Sequence, residues 1–503
     1  MWYDEHTYYL GMILWWAAVP LALLQWGTSD FILRLLRSRT NLLLLLTPIL
    51  APTFYLWHSD VFAMRRKTWH ITARTSLGFF FPLADLPIEE ALFFLVTNLI
   101  LISASLTFDR VVAKAWFEGR SATGSVPPPL STSYLPLWRW STIQSLWSHF
   151  VSSDAPSLPS KELPSSTTSL VKSIEVLERA SRSFAAASYL LPWDLRVDLC
   201  SLYAFCRASD DLIDEAAHSS QVKRKRLKGL YALLDIAYTE KGDAAAVEAH
   251  VIALAGDAAS TTVFRDLHSV ARTLCDFRHI LPRSLWEQLL DAYAIDVRLE
   301  EEASRADGTG VGYLSTREEL EQYAQGVAGA IGEMCTRVIL HRSGYLHAQA
   351  MNEEKRWAPV IAAARRMGVS LQYVNIARDA ADDFTVLKRC YIPRSMLGQD
   401  LIVRLESEGK NKKAEGATPG ELLRPCALEL ARIAGAEYDA AFPAIAKIPI
   451  ASARSGFRVA CAVYTDIATA IRAQSPDEIR SGARAASSGK RRMWVALKTL
   501  YFS

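Results

Sequence analysis

Three long runs without a single charged side chain fall within the first hundred or so residues, and nothing else in the chain restricts its fold as strongly. They are Tyr9–Trp26 (YLGMILWWAAVPLALLQW), Asn41–Trp57 (NLLLLLTPILAPTFYLW, with Pro48 and Pro52 inside it) and Ala91–Phe108 (ALFFLVTNLILISASLTF). Each is about as long as the ~17–25 apolar residues an α-helix needs to cross a bilayer. Trp15, Trp16, Trp26 and Trp57 lie at or near the ends of two runs, as interfacial aromatics do. One such run also fits a buried helix of a soluble protein, but three so close together predict a multi-pass membrane segment. The opening MWYDEHTYYL carries Asp4 and Glu5 and no basic residue, which disfavours a cleavable signal peptide. Basic residues flank the runs almost evenly (Arg34, Arg37 and Arg39; Arg65, Arg66, Lys67 and Arg74; Arg110, Lys114 and Arg120), so charge asymmetry sets no orientation.

The remainder is different. The mean hydropathy of +0.08 averages an apolar front against a water-compatible rest. We divide the chain into a membrane module at 1–115, a Ser/Pro-rich linker at 116–170 and one all-α domain at 171–503. The linker contains an aromatic segment, Leu137–Phe150, suited to a membrane surface. The last part shows apolar residues at three- and four-residue spacing and no alternating strand pattern. A net charge of +3 gives no argument for nucleic acid as a partner. The seven cysteines are scattered without a CxxC pair, which fits reduced thiols facing the cytosol and offers no zinc site.

Two acidic stripes carry chemistry. In SLYAFCRASDDLIDEA, Tyr203, Arg207, Asp210 and Asp214 step by four, three and four and share one helix face, with Asp211 and Glu215 one position around. Like charges at i and i+4 repel, so a buried face carrying Asp210 and Asp214 needs a cation. In LQYVNIARDAADDF, Gln372, Asn375, Asp379 and Asp383 form a second stripe beside Arg378. One stripe alone also describes a solvated acidic patch. Two facing each other would chelate magnesium from both sides, and arginines would help hold a diphosphate between them.

These stripes resemble those of the squalene and phytoene synthase family, and further matches keep the family's order. Ser181 and Ser183 (SRSF) resemble its diphosphate-contacting serine motif, and Tyr323 to Gly332 (YAQGVAGAIG) its small-residue channel helix. Arg389 and Tyr391 (RCYIP) resemble the segment after the second stripe, and Tyr464 (YTDIATAIR) the closing helix. The resemblance implies an all-helical isoprenoid-synthase fold joining two geranylgeranyl diphosphates head to head into phytoene through a cyclopropyl diphosphate. It implies magnesium, or manganese in its place, on Asp210, Asp214, Asn375, Asp379 and Asp383, with no NADPH. Arg207, Arg378, Arg389, Tyr391 and Arg480 would bind or release diphosphate, and Tyr203 and Tyr464 would line the cation's path. Gln372 and Tyr323 would contact substrate. A squalene-type synthase using farnesyl diphosphate and NADPH, or an inactive prenyl-diphosphate-binding scaffold, remain the alternatives.

The run LPIEEALFF places Glu89 and Glu90 at the mouth of an apolar helix, where carboxylates are costly in lipid. An interfacial helix start, with Pro87 and acids favouring the dipole, is the plainer reading. The segment also resembles the carotenoid cyclase module that fungi fuse ahead of a phytoene synthase, of whose two repeats this looks like the second. That resemblance implies lycopene or related carotenes as substrates, with Glu89 and Glu90 protonating an end group. It also implies other carotenoid-pathway enzymes as partners and membrane lipid around the module, with the synthase in the cytosol.

Overall fold

The computed structural model describes residues 5–35, 39–81, 85–123, 140–151, 165–181, 184, 188, 191, 193–215, 219–239, 242–256, 258, 261–305, 310–346, 351–408 and 417–501. The chain divides into two compact units, 1–163 and 164–503. The predicted linker at 116–170 thus contributes helix to both units.

In the first unit the apolar runs become helices α1 (Tyr8–Leu35), α2 (Arg39–Arg65) and α3 (Ile88–Thr123). Stretches Glu5–Gly27 and Ile88–Val112, with mean hydropathies of 1.5 and 2.1, are each long and apolar enough to cross a membrane. Helix α3 packs against both α1 and α2. Polar side chains join them: Asn98 Nδ2 donates to Thr53 Oγ1 at 3.0 Å, and Gln25 Nε2 to Ser103 Oγ at 3.3 Å. The aromatic segment forms α4 (Trp140–Val151), with Trp140 and Trp147 outward and Phe150 edge-on to Trp26 at 6.1 Å.

Among the described residues, the second unit is built of helices and two two-residue strands, which the sequence did not announce. The helices that matter for the site are α5 (Ser165–Ala180), α6 (Trp193–Asp214), α7 (Arg283–Ser304), α8 (Arg317–Ala324), α9 (Ala330–Arg342), α10 (Met351–Asp382), α11 (Pro419–Ile445), α12 (Ala451–Ala473) and α13 (Gly489–Tyr501). Strand β1 (Gly312–Tyr313) pairs in parallel with β2 (Arg389–Cys390). Apolar side chains such as Leu202, Leu212, Trp286 and Met334 fill the core around α6, α7 and α9. Helix α10 packs along α11 and against α12.

Two π-helical turns interrupt the ladder, at Gln325–Gly329 between α8 and α9 and at Asp383–Leu387 after α10. Such turns re-aim side chains and concentrate at functional sites. The second is capped by Lys388, whose φ of 57° is left-handed. Around the first, glycines let backbones touch. A Cβ at Gly368 would stand 2.2 Å from the Ala328 carbonyl oxygen, and one at Gly332 2.4 Å from that of Ala364. Gly368→Ala must therefore push α10 away from the π-turn, with an expected loss of about 1–3 kcal/mol. Chemical denaturation of the whole chain would show it as a lower midpoint, and an unchanged midpoint would refute the close approach.

Candidate active site

Helices α6 and α10 bring the two acidic stripes to one cavity of about 700 Å³. Its wall includes Ser181, Tyr203, Arg207, Asp210 and Asp214 from the α5–α6 side. From the other side come Gln372, Asn375, Arg378, Asp379 and Asp383, joined by Tyr323, Tyr391 and Tyr464. Leu289, Val327, Ile331, Ile376, Val463 and Ile467 supply an apolar lining. The helical spacing that placed each set on one face thus places them on the faces that meet.

Charges inside this cavity are arranged unevenly. Arg207 donates to Asp210 at 3.1 Å and pairs with Asp211 at 2.6 Å, while Glu215 turns to Arg226 at 2.8 Å. Burial, reinforced by Asp214, still pushes Asp210 well above the ordinary carboxylate range. Burial together with Asp379 pushes Asp383 up to about 8. Asp379 is the exception. Its burial is overcome by Arg378 at 2.7 and 2.6 Å and Arg484 at 2.6 and 2.6 Å, which hold it below its usual value. Tyr464 donates to Asn375 Oδ1. Tyr203 stacks on Phe184 at 5.0 Å, and burial raises its phenol to about 12.

Not every expected residue reaches the cavity. Ser183 lies outside the described residues. Arg480 is exposed and donates to Glu421 at 3.1 Å, so it does not line the wall, and Arg484 and Arg492 do so in its neighbourhood. Arg389, held on β2, is buried and donates to Asp214 at 2.8 Å and Glu300 at 3.2 Å.

Residues that sequence reasoning missed complete the site. Asp296 on α7 accepts from Tyr391 at 2.6 Å and Tyr323 at 3.4 Å, and those two rings stack 4.8 Å apart. Burial pushes Asp296 up to about 7 against the opposing pull of Arg389. The signal was present, since Tyr293, Asp296 and Glu300 step by three and four along α7. It was hidden in the charged run DVRLEEE.

The donor set fits a divalent cation. Carboxylates crowded in a half-buried wall lack enough positive charge, which is the deficit a metal ion would fill. Among the described residues no three His, Cys, Asp or Glu side chains form a cage of their own.

In the first unit Glu89 and Glu90 are both buried in the first turn of α3. Glu89 Oε1 accepts from Ser76 Oγ at 3.0 Å and from the Leu77 amide at 2.5 Å, and Glu90 Oε1 accepts from Tyr9 at 2.6 Å.

The squalene/phytoene synthase family profile matches residues 177–492. The chain is 40% identical to a bifunctional lycopene cyclase/phytoene synthase of Sporisorium reilianum (strain SRZ2), over 99% of this chain and 78% of that protein. Proteins of the same name from Blakeslea trispora (32% identical, 99% of this chain and 73% of that one) and Phaeosphaeria nodorum (34%, 98% and 74%) are also similar. A crystal structure of a dehydrosqualene synthase in complex with ligand covers 66% of this chain and 95% of that chain, at 18% identity and a TM-score of 0.42. The chain belongs to the squalene/phytoene synthase family and, among its members, to the bifunctional lycopene cyclase/phytoene synthases.

Proposed function

We propose that the second unit joins two geranylgeranyl diphosphates into phytoene and that the membrane unit cyclises lycopene end groups. What supports the first half is the pair of acidic faces sharing one apolar-walled cavity with arginines at its polar end. Asp210, Asp214, Asn375, Asp379 and Asp383 would hold magnesium, or manganese, which supplies positive charge to the departing diphosphate. Arg207, Arg378, Arg484 and Arg492 orient the phosphates, with the guanidinium fork matching their oxygens. Ser181 and Gln372 add polar contacts at the same end. The apolar wall keeps water from the allylic cation while it alkylates the second molecule and closes the cyclopropane. Tyr203 and Tyr464 face the cavity where a phenol oxygen can receive a proton. Asp296 fixes Tyr391 and Tyr323, and Arg389 fixes Asp214.

For the membrane unit, the support is two buried glutamates at the start of an apolar helix. In this reading the unit is multi-pass, lipid surrounds it, and the synthase faces the cytosol beside other carotenoid-pathway enzymes.

Membranes containing the whole chain, given geranylgeranyl diphosphate and magnesium without NADPH, should release phytoene and diphosphate. Product appearing only with farnesyl diphosphate and NADPH would overturn this reading. Asp210→Asn and Asp379→Asn should each lower phytoene output by about 10²-fold or more with unchanged circular dichroism. Near-normal turnover in either would remove it from the ligand set.

Asp383 generates a stability prediction in chelator. Its folded value of about 8 lies above the ordinary 3.8, so the folded state binds the extra proton and stability falls as pH rises between those values. Asp383→Asn should thus raise the melting temperature at pH 8 and have little effect near pH 4. An equal shift at both would contradict it.

A further inference from the structure

The membrane unit contains a third buried carboxyl. Asp60, near the end of α2, is 3% exposed, and neither of its oxygens has a hydrogen-bond partner. The Trp69 indole is the donor that comes near it, without reaching hydrogen-bond geometry. Glu90 is close enough to act on Asp60 electrostatically, and Tyr9 is close enough to feel all three carboxyls.

The donors around this cluster go to the glutamates. Glu89 takes a hydroxyl and a backbone amide, and Glu90 takes the Tyr9 phenol. Each glutamate thus has an oxygen held by a donor. Asp60 receives no such bond, and a buried bare carboxylate beside other carboxylates is prohibitively costly. With both oxygens bare, Asp60 is thus the member of the cluster with most to gain from carrying a proton.

Its surroundings suit a cation. Trp57 lies three residues earlier on the same helical face. Its ring sits 5.1 Å from Phe81 and 5.3 Å from Phe54, and its indole N–H is tied to the Ala91 carbonyl at 3.0 Å. A fixed indole face stabilises positive charge on carbon.

We propose that Asp60 is the proton donor of the membrane unit, acting on the terminal trisubstituted alkene of an acyclic polyene, with Glu90 as the base that ends the reaction. This rests on the cyclase reading above and names the residue that performs its first step. The Asp60 O–H bond breaks and a C–H bond forms at the terminal double bond, leaving a tertiary cation. The π-electrons of an internal double bond close the ring, and the cation moves onto it. Glu90 removes a proton from the ring, forming its double bond, and the proton returns from Glu90 to Asp60. The sum is an isomerisation that needs no oxidant, reductant or co-reactant.

The test uses membranes containing the whole chain, supplied with lycopene, with cyclised carotenes measured by chromatography. Phytoene made from geranylgeranyl diphosphate by the same membranes reports intact protein. Asp60→Asn and Asp60→Leu should lower ring formation by about 10²-fold or more, with phytoene output within twofold. Asp60→Glu should restore part of it. Because the bare carboxyl adds nothing to stability, the Asn and Leu variants should melt no lower than the unaltered chain. Rings formed by Asp60→Asn at more than half the normal rate overturn the proposal alone. So does ring loss accompanied by a lower melting temperature and lost phytoene, since that marks a structural role. No rings from the unaltered chain overturn the cyclase reading and this proposal together.

Discussion

Mutual repulsion among half-buried carboxylates is the constraint around which the second unit is arranged. Asp210, Asp214 and Asp383 share one cavity wall, and burial makes each additional negative charge harder to carry. The fold answers with arginines drawn from several elements. Arg207 comes from the same helix, Arg378 from the opposite one, Arg389 from a short strand and Arg484 from the segment before α13. Even so, the compensation is incomplete at Asp210 and Asp383. A site that is electrostatically uncomfortable when empty binds a cation and its anionic ligand with correspondingly greater differential strength.

The apolar half of the cavity depends on backbone proximity. Glycines at 332 and 368 allow α9, α10 and the first π-turn to approach with carbonyls where a Cβ would otherwise sit. Tyr323, two residues before that turn, is brought onto Tyr391 and Asp296. The second π-turn does the same for the polar end, since Asp383 is its first residue and Leu387 its last, and both reach the cavity.

Much of this was legible in the sequence because helical periodicity is a local property. Spacings of three and four among Tyr203, Arg207, Asp210 and Asp214, and among Gln372, Asn375, Asp379 and Asp383, predicted two faces, and the faces meet. What was not legible depended on the third dimension. Arg480 had the right residue type near the right place, yet the capping glutamate of α11, Glu421, holds it, and Arg484 reaches Asp379 instead. Asp296 looked like one acid among many until burial singled it out. The helix Ser165–Ala180 overlaps a stretch whose Ser and Thr content suggested linker, because packing against α6 outweighs weak propensity.

The link between Arg389 and Asp214 spans 175 residues, and the strand pair that positions Arg389 joins Gly312 to it across the same sheet. Helices α6 and α10 can each form from nearby residues, but this link cannot exist until a very long loop has closed. The link that completes this cavity wall is therefore a late product of folding. A nascent chain that has emerged only as far as Asp383 carries both acidic stripes with neither Arg389 nor Arg484 to neutralise them. Its acidic face is complete in composition well before it is complete in charge.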